Sequence, residues 1–271
     1  ERPYARAVAE SVNAEMHTII PSANDFADVL QKLVYHMDEP VAGPGLFPQY
    51  MVSRCASQHV KVVLGGQGGD EIFGGYTRYL VAYLEQALKG AIFETTEEQE
   101  HIVSLKSIIP NLAVLRQYEP MLTQFWRSGL FEPMDKRYFK LVDRSAGALS
   151  LFTHDFRSGY ESDSAFARFQ TVFNHSDTLS YYNKMTHFDM VASLPALMHV
   201  EDRASMASSL ESRVPLLDRR LVDLVTSMPP KMKFKGGELK YLLKRAARDM
   251  VPDQVIDRKD KMGFPVPLHL W

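Results

Sequence analysis

The chain of 271 residues has room for one large domain or two small ones. Its 31 basic and 33 acidic residues leave a formal charge of −2, so charge gives no reason to expect nucleic acid or an anionic membrane as a partner. A single cysteine, Cys55, excludes an intramolecular disulfide and fits a reducing, cytoplasmic compartment, and no apolar run approaches the roughly 18 residues of a membrane span.

In chain order, residues 2–16 read as a helix, followed by a short strand around His17–Ile20. Asp25 reads as the N-cap of a helix whose buried face carries Phe26, Val29, Leu30, Leu33, Val34 and Met37. Pro40 ends it by disfavouring helical geometry at Glu39. Residues 48–58 read as a helix. Val60–Leu64, short, β-branched and bounded by glycine, reads as a buried strand. Residues 72–88 read as one helix with Gly74-Gly75 early in it, where a close neighbour or ligand could approach. Between 90 and 175, prolines 110, 120 and 133 break the periodicity and aromatics are dense; this reads as a variable helical insertion covering the core. Helical patterning returns from Thr178, punctuated by Pro195 and Pro215, and residues 238–250 read as a further amphipathic helix. Both ends look like cuts through a longer polypeptide. Few strands and many helices indicate a helix-rich α/β fold with an incomplete doubly wound parallel sheet, whose ligands sit at the carboxyl ends of the strands.

The stretch Val60–Tyr79 carries the chemistry. Gly65, Gly66, Gly68 and Gly69 remove side chains from a turn, so backbone N–H groups can approach an anion closely. The turn ends on Asp70-Glu71, and no lysine or arginine follows until Arg78. Such a loop suits metal and phosphate together, because Mg²⁺ takes one or two carboxylates plus phosphate oxygens and water. The same pattern also suits a plain tight turn before a helix with acids in its first turn. A P-loop is excluded, since no lysine follows the glycines, and no G-x-G-x-x-G opens the helix. In the second half, Glu201, Asp202, Arg203, Glu211, Arg213 and Asp218 lie among apolar residues, either as a working site or as a buried ion-pair network. Arg258, Lys259 and Lys261 precede Gly263.

Taken together, "GGQGGDEIFGGY" (65–76), Asp202-Arg203 with Ser205-Met206, "LESRVPLLD" (210–218), "KMGFPVP" (261–267) and "HMDEP" (36–40) resemble, in order and spacing, the C-terminal synthetase domain of asparagine synthetases, which β-lactam synthetases share. The resemblance implies a sheet of the adenine-nucleotide alpha hydrolase-like (ATP pyrophosphatase) type, with residues 1–271 forming one synthetase domain truncated at both ends. It implies a ligase that activates aspartate with ATP and Mg²⁺ as an acyl-adenylate, then transfers it to ammonia supplied by a glutaminase domain. By the same resemblance, Gly65, Gly66 and Gly68 line the nucleotide and Asp70 contacts Mg-pyrophosphate. Glu71 supports the loop, Asp202 faces the reaction centre, Arg203 orients Asp202, and Lys261 stabilises negative charge on the intermediate. A homodimer is the assembly to test for.

Three departures stand out. The family's S-G-G-x-D-S pyrophosphate loop is absent and would lie upstream of Glu1. The glutaminase domain is absent as well: residue 1 is Glu, and Cys55 reads as a packed small thiol, so the chain alone is expected to be inactive with glutamine. Gln67 stands where these synthetases commonly place a glutamate thought to act as a base on ammonia; Gln67 hydrogen-bonds but cannot take a proton. Either ammonia needs little help, or another acid serves, or the acceptor is another carboxylate such as an antibiotic or sugar-acid precursor. A non-catalytic nucleotide-binding paralogue is a further alternative. Asn174-His175-Ser176 fits a glycosylation acceptor by accident in a reducing compartment, and the nine histidines form no zinc spacing.

Overall fold

The computed structural model describes residues 1–40, 43–93, 104–127, 129–130, 132–143, 145–159, 162–259, 263 and 266–271. Helices α1 (Arg2–Ser11), α2 (Ala23–Met37) and α3 (Leu46–Ala56) lead into strand β1 (Val62–Leu64). After the glycine turn come α4 (Gly69–Phe73) and α5 (Thr77–Phe93), then a 3-10 stretch (Ile109–Tyr118). There follow α6 (Glu119–Trp126), α7 (Met134–Val142), α8 (Ser162–Phe173), α9 (Tyr181–Phe188), α10 (Leu194–Met206), β2 (Glu211–Arg213), α11 (Arg219–Ser227) and α12 (Tyr241–Ala246), with one-turn helices between some of them. The chain divides into two compact units interleaved along the sequence. The first comprises Glu1–Gly69, Ser193–Thr226 and Leu243–Trp271, and the second Asp70–Ala192 and Ser227–Leu242.

In the first unit, β1 and β2 pair in parallel with Val63 opposite Ser212. The ladder extends from Glu211 N to Lys61 O (3.0 Å) and from Gly65 N to Arg213 O (2.7 Å). Parallel pairing across a long crossover matches the expected helix-rich α/β class. Helices α2, α3 and α10 bury Leu33, Phe47, Tyr50, Met51 and Ala204 together. The start of α2 corrects the sequence reading. Ser22 is the N-cap and Asp25 the third helical residue, joined in a capping box: the Ser22 hydroxyl accepts from Asp25 N, and the Asp25 carboxylate accepts from Ser22 N at 2.8 Å.

Four further expectations differ from the structure. Residues 17–20 are not a strand, because no neighbour among the described residues takes up their backbone groups. The strand expected over 60–64 is confined to Val62–Leu64 and is not buried; Leu64 is 73% exposed. Among the described residues β1 has one partner, so neither its second edge nor both of its faces are covered. The helix expected over 72–88 breaks at Gly74, whose φ of +65° no α-helix accommodates. The helix expected over 238–250 shrinks to α12, because Gly236, Gly237 and Lys240 all adopt left-handed φ values just before it.

The second unit is built around α5. Tyr79, Leu80, Tyr83, Tyr138, Phe169, Phe173, Tyr181, Tyr182 and Phe234 form one aromatic-rich core with Ile108, Leu115 and Phe125. Residues between 104 and 173 are therefore at the centre of this core and do not merely cover it. Buried charges here meet opposite charges. Arg137 forks onto Glu85 (2.7 Å) and donates to Phe125 O (2.8 Å), and Arg78 meets Asp189 at 2.6 Å. Removing one member of such a pair typically destabilises by ~3–5 kcal/mol.

Lys233 has no such partner among the described residues. It is 2% exposed, donates to Asn183 Oδ1 at 3.2 Å and lies 5.3 Å over the Tyr182 ring, with no carboxylate among the described residues within ion-pair distance. Burial pushes its ammonium pKa down to about 8 from an ordinary value near 10.5. Below pH 8 the fold carries a charge that the unfolded chain keeps in water, so Lys233 opposes folding. As pH rises past the folded pKa this penalty is relieved, while the unfolded chain still holds its proton. Between pH 7 and pH 10 the wild type should gain about 2–3 kcal/mol of stability relative to Lys233→Met, read as urea-denaturation midpoints at each pH. Parallel pH profiles for the two proteins would refute the assignment.

Candidate functional site

The carboxyl end of β1 runs into Gly65, beside Ser212 of β2 and Glu201 of α10. A Cβ on Gly65 would lie 3.3 Å from Glu201 Oε1 and 3.5 Å from Ser212 Oγ, so the strand must end in glycine for the carboxylate to lie against it. Glu201 is 6% exposed. Its Oε1 accepts from Ser212 Oγ at 2.5 Å. Its Oε2 accepts from Gln67 Nε2 at 3.2 Å and from Gln49 Nε2 of α3. Three neutral donors from three separate segments thus converge on one buried carboxylate.

The other glycines of the turn have different reasons. Gly68 has a φ of +87°, and a Cβ there would overlap the Leu217 side chain. Gly69 lies close over Leu216. The "VPLL" residues of the second half thus pack beneath the turn and shape it. At Gly66 a Cβ would meet nothing within 4 Å. The helix that follows is α4, only five residues long, so its dipole adds little at the turn.

Asp202 and Arg203, next to Glu201, are exposed. Arg203 lies 4.0 Å from Asp202 and 3.8 Å from Asp38, which sits in left-handed conformation at the end of α2. His199 Nε2 bonds Met37 O at 2.7 Å. The "HMDEP" and "EDR" segments are therefore brought together, and Arg203 is shared between two acids at the outer limit of ion pairing rather than held on Asp202 alone.

In the second unit, Asp70 is paired with Lys240 (Nζ to Oδ1, 3.1 Å). Lys240 reaches it from a left-handed residue (φ 55°) whose N–H bonds Gly74 O at 3.3 Å. A Cβ on Gly75 would overlap both Asp70 and the Lys240 side chain, so Gly75 leaves the room the ion pair occupies. A Cβ on Gly74 would press on the Tyr182 ring. The neighbours expected at Gly74-Gly75 are thus these side chains. Glu71 is buried and accepts from the Tyr76 hydroxyl, with Arg78 stacked 3.7 Å over the Tyr76 ring. Burial pushes the Glu71 carboxyl pKa up, and the Tyr76 hydrogen bond works against that shift.

Lys261 lies outside the described residues. Cys55 is half-buried on α3. No group of three His, Cys, Asp or Glu side chains among the described residues could hold a metal ion, and no helix among them is long and apolar enough to cross a membrane. Asp70, a single partly exposed carboxylate, suits a Mg²⁺ whose remaining ligands are phosphate oxygens and water. Sequence reasoning passed over Lys240, Gln49 and Ser212, and gave Glu201 no role of its own. A lysine three residues after a Gly-Gly pair and an extra acid on an apolar helix were the available signals.

These features define a helix-rich α/β protein with a small parallel sheet that ends in a glycine turn. The asparagine synthase family matches residues 1–271, and the chain belongs to that family of enzymes. It is similar to asparagine synthetase [glutamine-hydrolyzing] 1 of Bacillus subtilis, 32% identical over 275 residues that cover 100% of this chain and 41% of the relative. Asparagine synthetase [glutamine-hydrolyzing] 3 of the same organism is 25% identical over 98% of this chain and 36% of its own length. An amidase of Penicillium rubens is 22% identical over 100% of this chain and 42% of its own length. The chain spans about two fifths of the length of the curated relatives it matches.

The glycine geometry yields a paired expectation. Gly68→Ala should destabilise by about 2–4 kcal/mol, combining left-handed strain with overpacking on Leu217, whereas Gly66→Ala should change stability by less than about 0.5 kcal/mol. Chemical denaturation of both variants checks this, and equal losses would contradict the assignment.

Proposed function

We propose that this chain is the ATP-dependent, amide-forming part of a synthetase. A carboxylate oxygen of the acceptor attacks the α-phosphorus of ATP and pyrophosphate leaves. Ammonia then attacks the acyl carbon and AMP leaves. Family membership supports aspartate as the acceptor and asparagine as the product. The relatives' names support glutamine as the source of ammonia, released elsewhere in the full-length protein.

The observation that carries this reading is the Asp70–Lys240 pair held open by Gly75. One acid and one ammonium, side by side and partly exposed, match the two kinds of group on metal-bound pyrophosphate. Lys240 would bind phosphate oxygens as a point charge, and Asp70 would hold Mg²⁺, which neutralises charge on the leaving pyrophosphate when bound. Gly65 and Gly66 are the backbone positions proposed to line the nucleotide. Asp202, with Arg203 and Asp38, is proposed for the acceptor side, and Lys261 for the negative charge that develops in the intermediate.

A second reading, amidation of a different carboxylate, is favoured by Gln67 and by the amidase among the relatives. The test is exchange of radiolabelled pyrophosphate into ATP by the full-length protein, with aspartate and then a panel of other carboxylates. Aspartate-dependent exchange is expected. Exchange with another carboxylate only would select the second reading, and release of ADP and phosphate would sink both. Asp70→Asn should abolish the Mg²⁺-dependent exchange. Lys240→Ala should raise the pyrophosphate KM by about 10–100-fold, the worth of one charge-assisted hydrogen bond. Exchange within a few-fold of wild type in both variants would show that the pair is purely structural.

A further inference from the structure

Glu201 is a buried acid without a cation. Elsewhere in the molecule the buried acids Glu85 and Asp189 meet arginine, and Glu71, which accepts from the Tyr76 hydroxyl, is pushed by burial toward its neutral form. Glu201 meets only Ser212, Gln67 and Gln49, and no cation among the described residues lies within ion-pair distance of it. Burying an uncompensated carboxylate is unfavourable, so a purely structural tie between α3, α10 and β2 would be better made by an amide. The retained charge calls for a use.

The geometry around Gln67 indicates one. A carboxylate only accepts hydrogen bonds, so the Gln67 amide must turn its Nε2 toward Glu201, and its Oε1 is thereby directed away. A carbonyl fixed in this way accepts N–H donors. We infer that Glu201 is a positioning residue for the nitrogen nucleophile. It locks Gln67 with the carbonyl presented to an N–H of incoming ammonia, and its negative charge favours the cationic nitrogen formed on attack. This rests on the amide-forming reading above. In the step concerned, the nitrogen lone pair forms the N–C bond and the carbonyl electron pair moves to oxygen. Collapse breaks the C–O bond to AMP, which leaves with its electron pair, and the surplus proton passes to solvent. The acid that Gln67 itself does not supply is then Glu201, fixed beside it.

The full-length protein with ammonium chloride as nitrogen donor tests this, reading amide formation and aspartate-dependent ATP–pyrophosphate exchange side by side. Glu201→Gln can take up either amide orientation and carries no charge. It should raise the KM for ammonia and lower amide formation at least about tenfold more than exchange. The swap Gln67→Glu with Glu201→Gln returns a carboxylate to the pair and should recover amide formation to within about tenfold of wild type. A purely structural Glu201 would lose both readouts equally, and the swap would rescue neither; that result, or amide formation unchanged in Glu201→Gln, overturns the inference. If Glu201→Gln fails to fold, Gln67→Ala leaves Glu201 two of its donors and must show the same split between readouts, and equal loss again overturns it. Absence of exchange in the wild type would instead remove the amide-forming reading, and this inference with it.

Discussion

A buried carboxylate must have its lone pairs met, and where no cation is at hand the donors have to be brought from wherever the fold can supply them. Glu201 draws Gln49 from α3, Ser212 from β2 and Gln67 from the glycine turn. The consequences run outward from that point. Ser212 can reach Oε1 because the parallel register sets it opposite Val63, two residues before Gly65. Gly65 must lack a side chain because Oε1 lies against it. The turn then bends back through Gly68, whose left-handed φ is open to it because it lacks a Cβ, and Leu217 fills the space a Cβ would need. A strand end, a helix face and a loop are tied by one acid.

The adjacent acids Asp70 and Glu71 show how environment assigns roles. Asp70 is partly exposed and faces the Lys240 ammonium. Glu71 is buried against the Tyr76 hydroxyl, where burial favours its neutral form. Chemically they are nearly the same residue; one is ion-paired near the surface and the other is packed against a hydroxyl. The Gly74-Gly75 break permits this, since it ends α4 after five residues and leaves space for Lys240 beside Asp70. A continuous helix through this point would have put a Cβ into that space.

Much of this was legible in the sequence wherever local chemistry decides the outcome. The strand, the glycine turn and the acids after it follow from β-branching and from the absence of side chains, and the motif set led to the family that matches the whole chain. What escaped depends on contacts distant in sequence. The exposure of Leu64 depends on how many strands flank β1, which its own residues do not encode. Residues 104–173 read as a covering layer because prolines broke their periodicity, yet Tyr138, Phe169 and Phe173 lie at the centre of the second unit's core. Asp25 looked like a cap because it precedes apolar residues, but Ser22, three positions earlier, forms the reciprocal pair of bonds that defines the helix start.

The hardest feature to read locally was the charge balance at the acidic end of the glycine turn. No nearby lysine offsets Asp70, so by sequence alone the turn ends on uncompensated acid. The structure resolves this through backbone conformation rather than local charge. Gly236, Gly237 and Lys240 all occupy left-handed conformations that end any incoming helix, and the Lys240 N–H is fixed on Gly74 O. The cation beside Asp70 is thus supplied from far along the sequence, and its approach is set by a pair of glycines on each side. Proximity in the sequence had been the wrong measure of charge balance; the distance that matters is the 3.1 Å between Nζ and Oδ1.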